Sequence, residues 1–403
     1  MPEKISHQPG ITAPLTRSLS SNHHGRHEKM LYEDIGFASS SEHSDGSEQH
    51  AEAGSVNALA QRLANARRAF TTRNVDLSLV AGLDREGAPK AGDLVLARVV
   101  SIGHHTKLES PEGRRQAMYP GDEIIVAYGH RYAPDQFEAK VPGSLAECDL
   151  VAGGGIASAM LAKHSKTRNP TRIQPIGLLR DWMGRRVNLS AFATCRPSPV
   201  RSRIAARVIV VVGTSMNAGK TTTAAKLIHG LRLAGLRVGA AKVTGTGSGG
   251  DIWSMLDAGA RTAVDFTDAG HASTAGVPLH DLAKVSLALV GHAAKGNDVA
   301  VIEVADGLFQ EETAGLLQCA DFTDAVDGVI LAAGDAMGAA YGHRWLSDNG
   351  LPISLIAGCV SSSPLGLRET ESATGLKVAT LEELANGELA PSFCFADAPL
   401  AAA

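Results

Sequence analysis

Residues Val208–Thr223 read VIVVVGTSMNAGKTTT, and this stretch restricts the possible folds more than any other in the chain. Five consecutive β-branched residues, Val208–Val212, make a strand with no polar side, so both of its faces need cover. A loop ending Gly219-Lys220-Thr221 follows, and then a helix predicted over Lys220–Ala234. Strand, loop and helix in that order are the context of a phosphate-binding P-loop, or Walker A motif. The backbone N–H groups of Gly213, Thr214, Ser215, Met216, Asn217, Ala218 and Gly219, with the helix start at Lys220, Thr221 and Thr222, are expected to cradle phosphate oxygens. Lys220 supplies a point charge to the β- and γ-phosphates, and Thr221 offers a hydroxyl to Mg²⁺. The common pattern places its first glycine at position 214. Here Thr214 stands there and the glycine is Gly213, so the loop is a variant.

Around this motif, buried strands alternate with helices. Strands are predicted at Arg237–Lys242, Asp298–Val304, Gly328–Ala333 and Ile353–Ala357, and a helix at Asp281–Ala294. That alternation predicts an α/β fold, a mostly parallel P-loop NTPase sheet with helices on both faces. Upstream the period changes. Asp93–Ile102 and Glu123–Tyr128 read as strands, with turns at Gly92-Asp93 and Pro120-Gly121-Asp122, and predict a small β-rich, barrel-like domain. Helices are expected at Val56–Phe70, through Leu59, Leu63 and Ala66, and at Leu150–His164. Residues 1–55 are rich in Ser, His, Glu and Gly and read as a disordered tail. The expected organisation is therefore a tail over 1–55, a β-rich domain over 56–195, a linker near Cys195–Val200, a nucleotide domain over 204–390 and a tail over 391–403.

Composition narrows function. With a net charge of −4 and 4% aromatics, the chain has neither a global basic field nor stacking platforms for nucleic acid. No apolar run is long enough to span a membrane, and no secretory leader is legible. Five cysteines without a C-x-x-C pair suggest a reducing, cytoplasmic location.

The loop GTSMNAGKT resembles that of dethiobiotin synthetase and the cobyrinic acid amide synthetases, which share the displaced glycine. The likeness runs from Ile204 to about Thr380. It includes a strand ending in a lysine, here Lys242 before VTGTGSGG, and an acidic strand end, here Glu303 in DVAVIEVADGL. The turn Ala305-Asp306-Gly307 and the region Asp251–Gly276 depart from those ligases. The whole also resembles bacterial P-loop proteins related to molybdopterin-guanine dinucleotide biosynthesis protein B. The resemblance implies a Mg²⁺-dependent, ATP-using enzyme that phosphorylates a small carboxylate or carbamate for ligation to a nucleophile, or a small-molecule kinase. Lys220, Lys242 and Glu303 would be catalytic, and Thr221 and Glu303 would be metal ligands; Asp251, which follows two glycines, is a further candidate metal ligand from its position alone. The resemblance also implies a homodimer. A nucleotide-hydrolysing switch or cofactor-delivery protein is the alternative. No N/T-K-x-D stretch of the kind that reads guanine is present, which leans toward ATP with GTP left open.

Further candidates follow. Asp257, Asp265 with Asp268 and His271, Asp306 and Asp335 compete for a second metal or base role, against ordinary caps and surface acids. His130, Arg131 and Tyr132 compete between reading an anionic substrate and shaping a turn. His104-His105, like the tail's His23, His24 and His27, has no metal-ligand spacing.

Overall fold

In the P-loop half, alternate residues of one strand enter two different cores. The computed structural model describes residues 57–197, 204–395 and Leu400, so the tail prediction over 1–55, together with Val56, lies outside the described residues. Strand Arg207–Gly213 sends Val208, Val210 and Val212 into one apolar cluster and Ile209 and Val211 into another. Helix Leu279–Ala294 packs in the first cluster and helix Lys220–Leu233 in the second. Period-two side-chain alternation explains how an unbroken apolar run is buried on both sides.

Six strands make this sheet: β6 Arg207–Gly213, β7 Val238–Lys242, β8 Thr262–Asp265, β9 Val299–Glu303, β10 Gly328–Ala332 and β11 Ile353–Ala357. Their order is β8-β7-β9-β6-β10-β11, and every pairing is parallel. Chain order reverses direction on either side of β6, so a crevice opens at the carboxyl ends of the strands, where such sheets bind ligands.

Five strands of the first half close on themselves. They are β1 Leu94–Ser101, β2 Glu123–Tyr128, β3 Cys148–Ala152, β4 Ile156–Lys163 and β5 Thr171–Asp181. They pair in the order β2-β1-β5-β3-β4. A parallel contact, Ile156 with Ala127 and Ala157 with Tyr128, returns β4 to β2. Leu94, Leu96, Ile125 and Val151 share one apolar cluster, and Val95, Ala97, Ile124 and Leu150 share the other.

One helix expectation fails here and another is shortened. Leu150–His164 is not a helix but parts of β3 and β4 around a turn at Gly153-Gly154-Gly155. Three adjacent glycines penalise a helix. Gly155 has φ of +100°, and a methyl placed on it would lie 2.1 Å from Ala69 Cβ. Burial on both faces hides the alternation in β3 and the first residues of β4. The helix expected over Val56–Phe70 stops at residue 65 among the described residues. Arg67–Arg68 then pairs with Ile124 and Ile125, and Phe70–Thr72 forms a 3₁₀ turn.

The segment expected as a tail over 391–403 is partly packed. Helix Ala390–Phe395 buries Phe393 and Cys394, and Arg207 Nε donates to the Cys394 carbonyl at 2.9 Å. All five cysteines are free. Among the described residues, no helix is long and apolar enough to cross a membrane.

Candidate functional site: a P-loop cleft shared by two sheets

The phosphate loop leaves β6 at Gly213. Thr214, in the place of the usual first glycine, donates its N–H to the Ala332 carbonyl at 3.0 Å and so ties the loop to β10. A methyl on Gly213 would lie 2.8 Å from Lys220 Cδ, so the lysine stem folds back over a position that must be small. Gly219 has φ of +99° and packs against Gly358 and Cys359. Asn217 also takes a left-handed conformation, with φ of +64°. Lys220 is buried, and its Nζ donates to the Ser215 carbonyl at 2.9 Å. Burial lowers its pKa, against the pull of Glu303 and Asp306. A desolvated ammonium held by one carbonyl is ready for a stronger anionic partner.

Sheet register assembles the acidic side. Lys242 is the partner of both Glu303 and Asp265 at the carboxyl edge. Helix Gly250–Asp257 begins one residue before Asp251 and brings that carboxylate to the same place. Thr221 Oγ1 lies 3.0 Å from Asp251 Oδ1 and 3.0 Å from Glu303 Oε1. Lys242 Nζ forms a hydrogen-bonded ion pair with Asp251 and sits 3.8 Å from Glu303 Oε1. Burial would lower the Lys242 pKa, but Asp251 and Glu303 more than reverse it, and the lysine stays charged. Burial also raises Glu303, reinforced by Asp251 and opposed by Lys242. Asp251 is lowered, because Lys242 and Thr221 outweigh its burial.

The residue set fits Mg²⁺. Glu303 Oε2 is buried without a hydrogen-bond partner, and the Thr221 hydroxyl stands between two carboxylates. Hard oxygen donors of this kind, completed by phosphates and water, are what Mg²⁺ takes. Among the described residues no group of three His, Cys, Asp or Glu converges on a metal position. That gives no support to a histidine metal site at His104-His105. His105 Nε2 instead contacts the Val151 carbonyl at 2.9 Å, and burial lowers its pKa to about 3.

The remaining acidic candidates separate. Asp306 lines the cleft, with φ of +62° and a pKa raised by burial. Asp265 and Asp268 do not face the phosphate site. They bind Arg73 at 3.1 and 2.7 Å, and Asn74 donates to Asp268 at 2.8 Å. This cluster fastens the segment after Phe70–Thr72 to the nucleotide sheet. Asp257 is exposed at a helix end, Asp335 caps helix Ala336–Asp348, and His271 does not line the cleft.

A cleft of about 890 Å³ joins the two halves. Its floor includes Lys220, Thr221, Lys242, Asp251, Glu303 and Asp306. Its opposite wall comes from the β-barrel side, with His104, Lys107, Glu109, Arg115, Arg131 and Tyr132. Arg131 does reach this wall, where Nη1 donates to the Val151 carbonyl and Nη2 to Gln136 Oε1 at 2.8 Å, while its Nε is buried without a partner. His130 is not on the wall, and its Nδ1 accepts from the Val141 N–H at 3.2 Å. Sequence reasoning missed Glu109, Asp135, Arg73 and Cys359. Asp135 accepts from Asn217 Nδ2 at 3.0 Å, and the Cys359 N–H donates to the Ala218 carbonyl at 3.0 Å. Only long-range packing brings Asp135 and Cys359 to the loop, Glu109 to the cleft and Arg73 to Asp265 and Asp268, so no local pattern marks them.

No protein-family model and no curated protein matches this chain. Solved structures overlap it in part. The signal recognition particle receptor FtsY from Elizabethkingia anophelis is 19% identical, with a TM-score of 0.29 over 53% of this chain and 61% of its own. A DUF1611-family protein from Anabaena variabilis is 17% identical, with a TM-score of 0.35 over 47% and 57%. The signal recognition particle 54 kDa protein from Aeropyrum pernix K1, solved in complex with GDP, is 20% identical, with a TM-score of 0.33 over 49% and 47%. This chain thus spans less than two thirds of each. The likeness to dethiobiotin synthetase rests on the loop and strand-end residues alone. The structure itself has the P-loop NTPase fold, a parallel sheet with the variant loop at its carboxyl edge beside Thr221, Lys242, Asp251 and Glu303.

Proposed function

We propose that the protein binds a Mg²⁺–nucleoside triphosphate at Gly213–Thr222 and transfers its terminal phosphoryl group to a small acceptor held in the cleft. The observation that carries this reading is the continuity of the cleft from Lys220 and Thr221 to side chains of the barrel. Catalysis of phosphoryl transfer is mainly positioning and charge stabilisation. Thr221, Asp251 and Glu303 would hold Mg²⁺, which neutralises phosphate charge when bound. Lys220 and Lys242 stabilise charge on the transferring group. An acceptor oxygen attacks the γ-phosphorus, the bond to the β-phosphate oxygen breaks, and the nucleoside diphosphate leaves with that electron pair. With a carboxylate or carbamate acceptor, a nucleophile then displaces phosphate. ATP is the first nucleotide to test, and GTP, which the sequence leaves open, belongs in the same test. We read the β-rich part, 56–195, as the source of substrate specificity for the nucleotide part, 204–390. A cytoplasmic, homodimeric protein without nucleic-acid or membrane partners completes the proposal.

A second reading, a nucleotide-driven switch, is favoured by the Asn217–Asp135 contact, through which a change in the loop would reach the barrel. Nucleoside diphosphate formation from ATP and from GTP, with a panel of small carboxylates and amines, separates the two readings. Transfer predicts that one compound raises turnover at least tenfold (~1.4 kcal/mol of barrier) and that Lys242→Ala abolishes the rise. Slow turnover with every compound, unaffected by Lys242→Ala, sinks the transfer reading and leaves the switch.

A further inference from the structure

The short hairpin Lys107–Glu109 and Arg115–Ala117 pairs Glu109 with Arg115 and Lys107 with Ala117. Lys107 therefore sits diagonal to Arg115, within reach of a shared small ligand. Both side chains are exposed and both line the cleft opposite the phosphate loop. Glu109, which also lines the cleft, is the obvious counter-ion for Arg115, but the two make no ion pair. Glu109 Oε2 accepts from Ser248 Oγ at 3.0 Å and from the Gly249 N–H at 3.0 Å. Among the described residues, neither Lys107 nor Arg115 has an ion-pair or hydrogen-bond partner for its charged group.

The hairpin is held in place without any ligand. Gly113, with φ of +85°, leaves room for Trp253, and a methyl there would lie 2.5 Å from its Nε1. Glu109 N–H also donates to the Gly153 carbonyl at 2.8 Å. Arg115 Nη2 lies 3.9 Å from where a methyl on Gly250 would stand, beside Asp251. The hairpin thus places two cations without an ion-pair partner on the cleft wall, while one oxygen of the nearest acid is hydrogen-bonded elsewhere. The arginine fork with a lysine point charge suits carboxylate or phosphate oxygens.

We propose that Lys107 and Arg115 form an acceptor subsite, distinct from the phosphate loop, that binds the anionic oxygens of a small carboxylate- or phosphate-bearing second substrate. The proposal deepens the phosphoryl-transfer reading and rests on it. The full-length protein would be saturated with Mg²⁺–ADP and titrated calorimetrically with glutarate and with inorganic phosphate. Affinity for ADP and for a non-hydrolysable ATP analogue would be measured alongside. Wild type should bind at least one probe saturably, and the glutarate-to-phosphate preference identifies the anion class. Lys107→Ala/Arg115→Ala should weaken that binding at least about tenfold, with ADP and analogue affinities kept. Arg114→Ala removes a neighbouring charge outside the cleft and should leave probe binding intact.

Three results overturn the subsite: no saturable binding of either probe, equal loss in Arg114→Ala, or weakened analogue binding in the double variant with ADP unaffected. The last would assign the two cations to the γ-phosphate. If wild type binds neither ADP nor the analogue, the nucleotide reading fails. Probe titration of the unliganded protein then still decides whether the hairpin is an anion site.

Discussion

The barrel and the carboxyl edge of the parallel sheet use charge in opposite ways. In the barrel, Asp84 meets Arg180 at 2.7 Å and Arg186 at 3.4 Å, and Arg172 meets Asp149 at 2.6 Å. The Arg180 hydrogen bond holds the Asp84 carboxyl down at about 2 despite some burial. At the sheet edge, Lys220, Lys242, Asp251, Glu303 and Asp306 crowd into one place, and Glu303 and Asp306 are pushed up by burial. Paired charge at the barrel rim supports the fold, whereas charge buried beyond its pairing is a cost that a ligand must offset. Glu303 with its partnerless Oε2 is the sharpest case.

That contrast is most exposed to refutation at Glu303. Glu303→Gln keeps the shape and a hydrogen-bond acceptor for Thr221 but removes the charge. Metal-dependent phosphate release should fall on the order of 10²-fold, as when one charge-stabilising group is lost. Without nucleotide or metal the same variant should unfold at an equal or higher temperature, because a burial penalty is gone. Paired turnover and thermal-melt measurements check both halves. A variant that loses stability while keeping turnover would make Glu303 a structural residue like Asp84.

The barrel side gives the opposite expectation at smaller size. Asp84→Asn should destabilise the protein by about 1 kcal/mol at neutral pH, discounted because Arg180 is partly exposed. The Asp84 pKa is depressed in the fold, so its contribution is present above the ordinary aspartate value near 3.8. It is lost as pH falls through about 2. Melting curves of wild type and variant should therefore converge between those two values. Curves that stay parallel into acid would show that the charge on Asp84 is not what stabilises the barrel.

The same contrast explains what the sequence could reveal. The strand–loop–helix at Val208–Thr223, and the placement of Lys242 and Glu303 at one sheet edge, were legible because the strand ends of a parallel sheet gather at predictable chain positions. Asp251 was legible only as one of several acids, since the turn of helix Gly250–Asp257 that selects it is set by packing. Asp265 looked equally good until Arg73, almost two hundred residues away in sequence, claimed it. The barrel wall was hardest to read. Strand β3 and the start of β4 hid their alternation because both faces are buried there, and Lys107 and Arg115 belong to a hairpin with no motif.

The smallest expected effect lies where the two regions touch. Asn217 sits in the phosphate loop at φ of +64° and reaches Asp135 of the barrel side at 3.0 Å. Asn217→Gly relieves the left-handed conformation but deletes that contact, and Asn217→Ala deletes the contact while keeping the strain. Glycine should cost little, because its conformational freedom offsets an exposed hydrogen bond. Alanine should cost about 1 kcal/mol more than glycine, read as a lower melting temperature. If the contact also carries the loop's state to the barrel, as the switch reading requires, both variants should lose nucleotide-dependent protection of barrel amides from hydrogen exchange. If protection persists in both, the barrel takes part only as a wall for substrate, and charge at the sheet edge acts on what lies in the cleft alone.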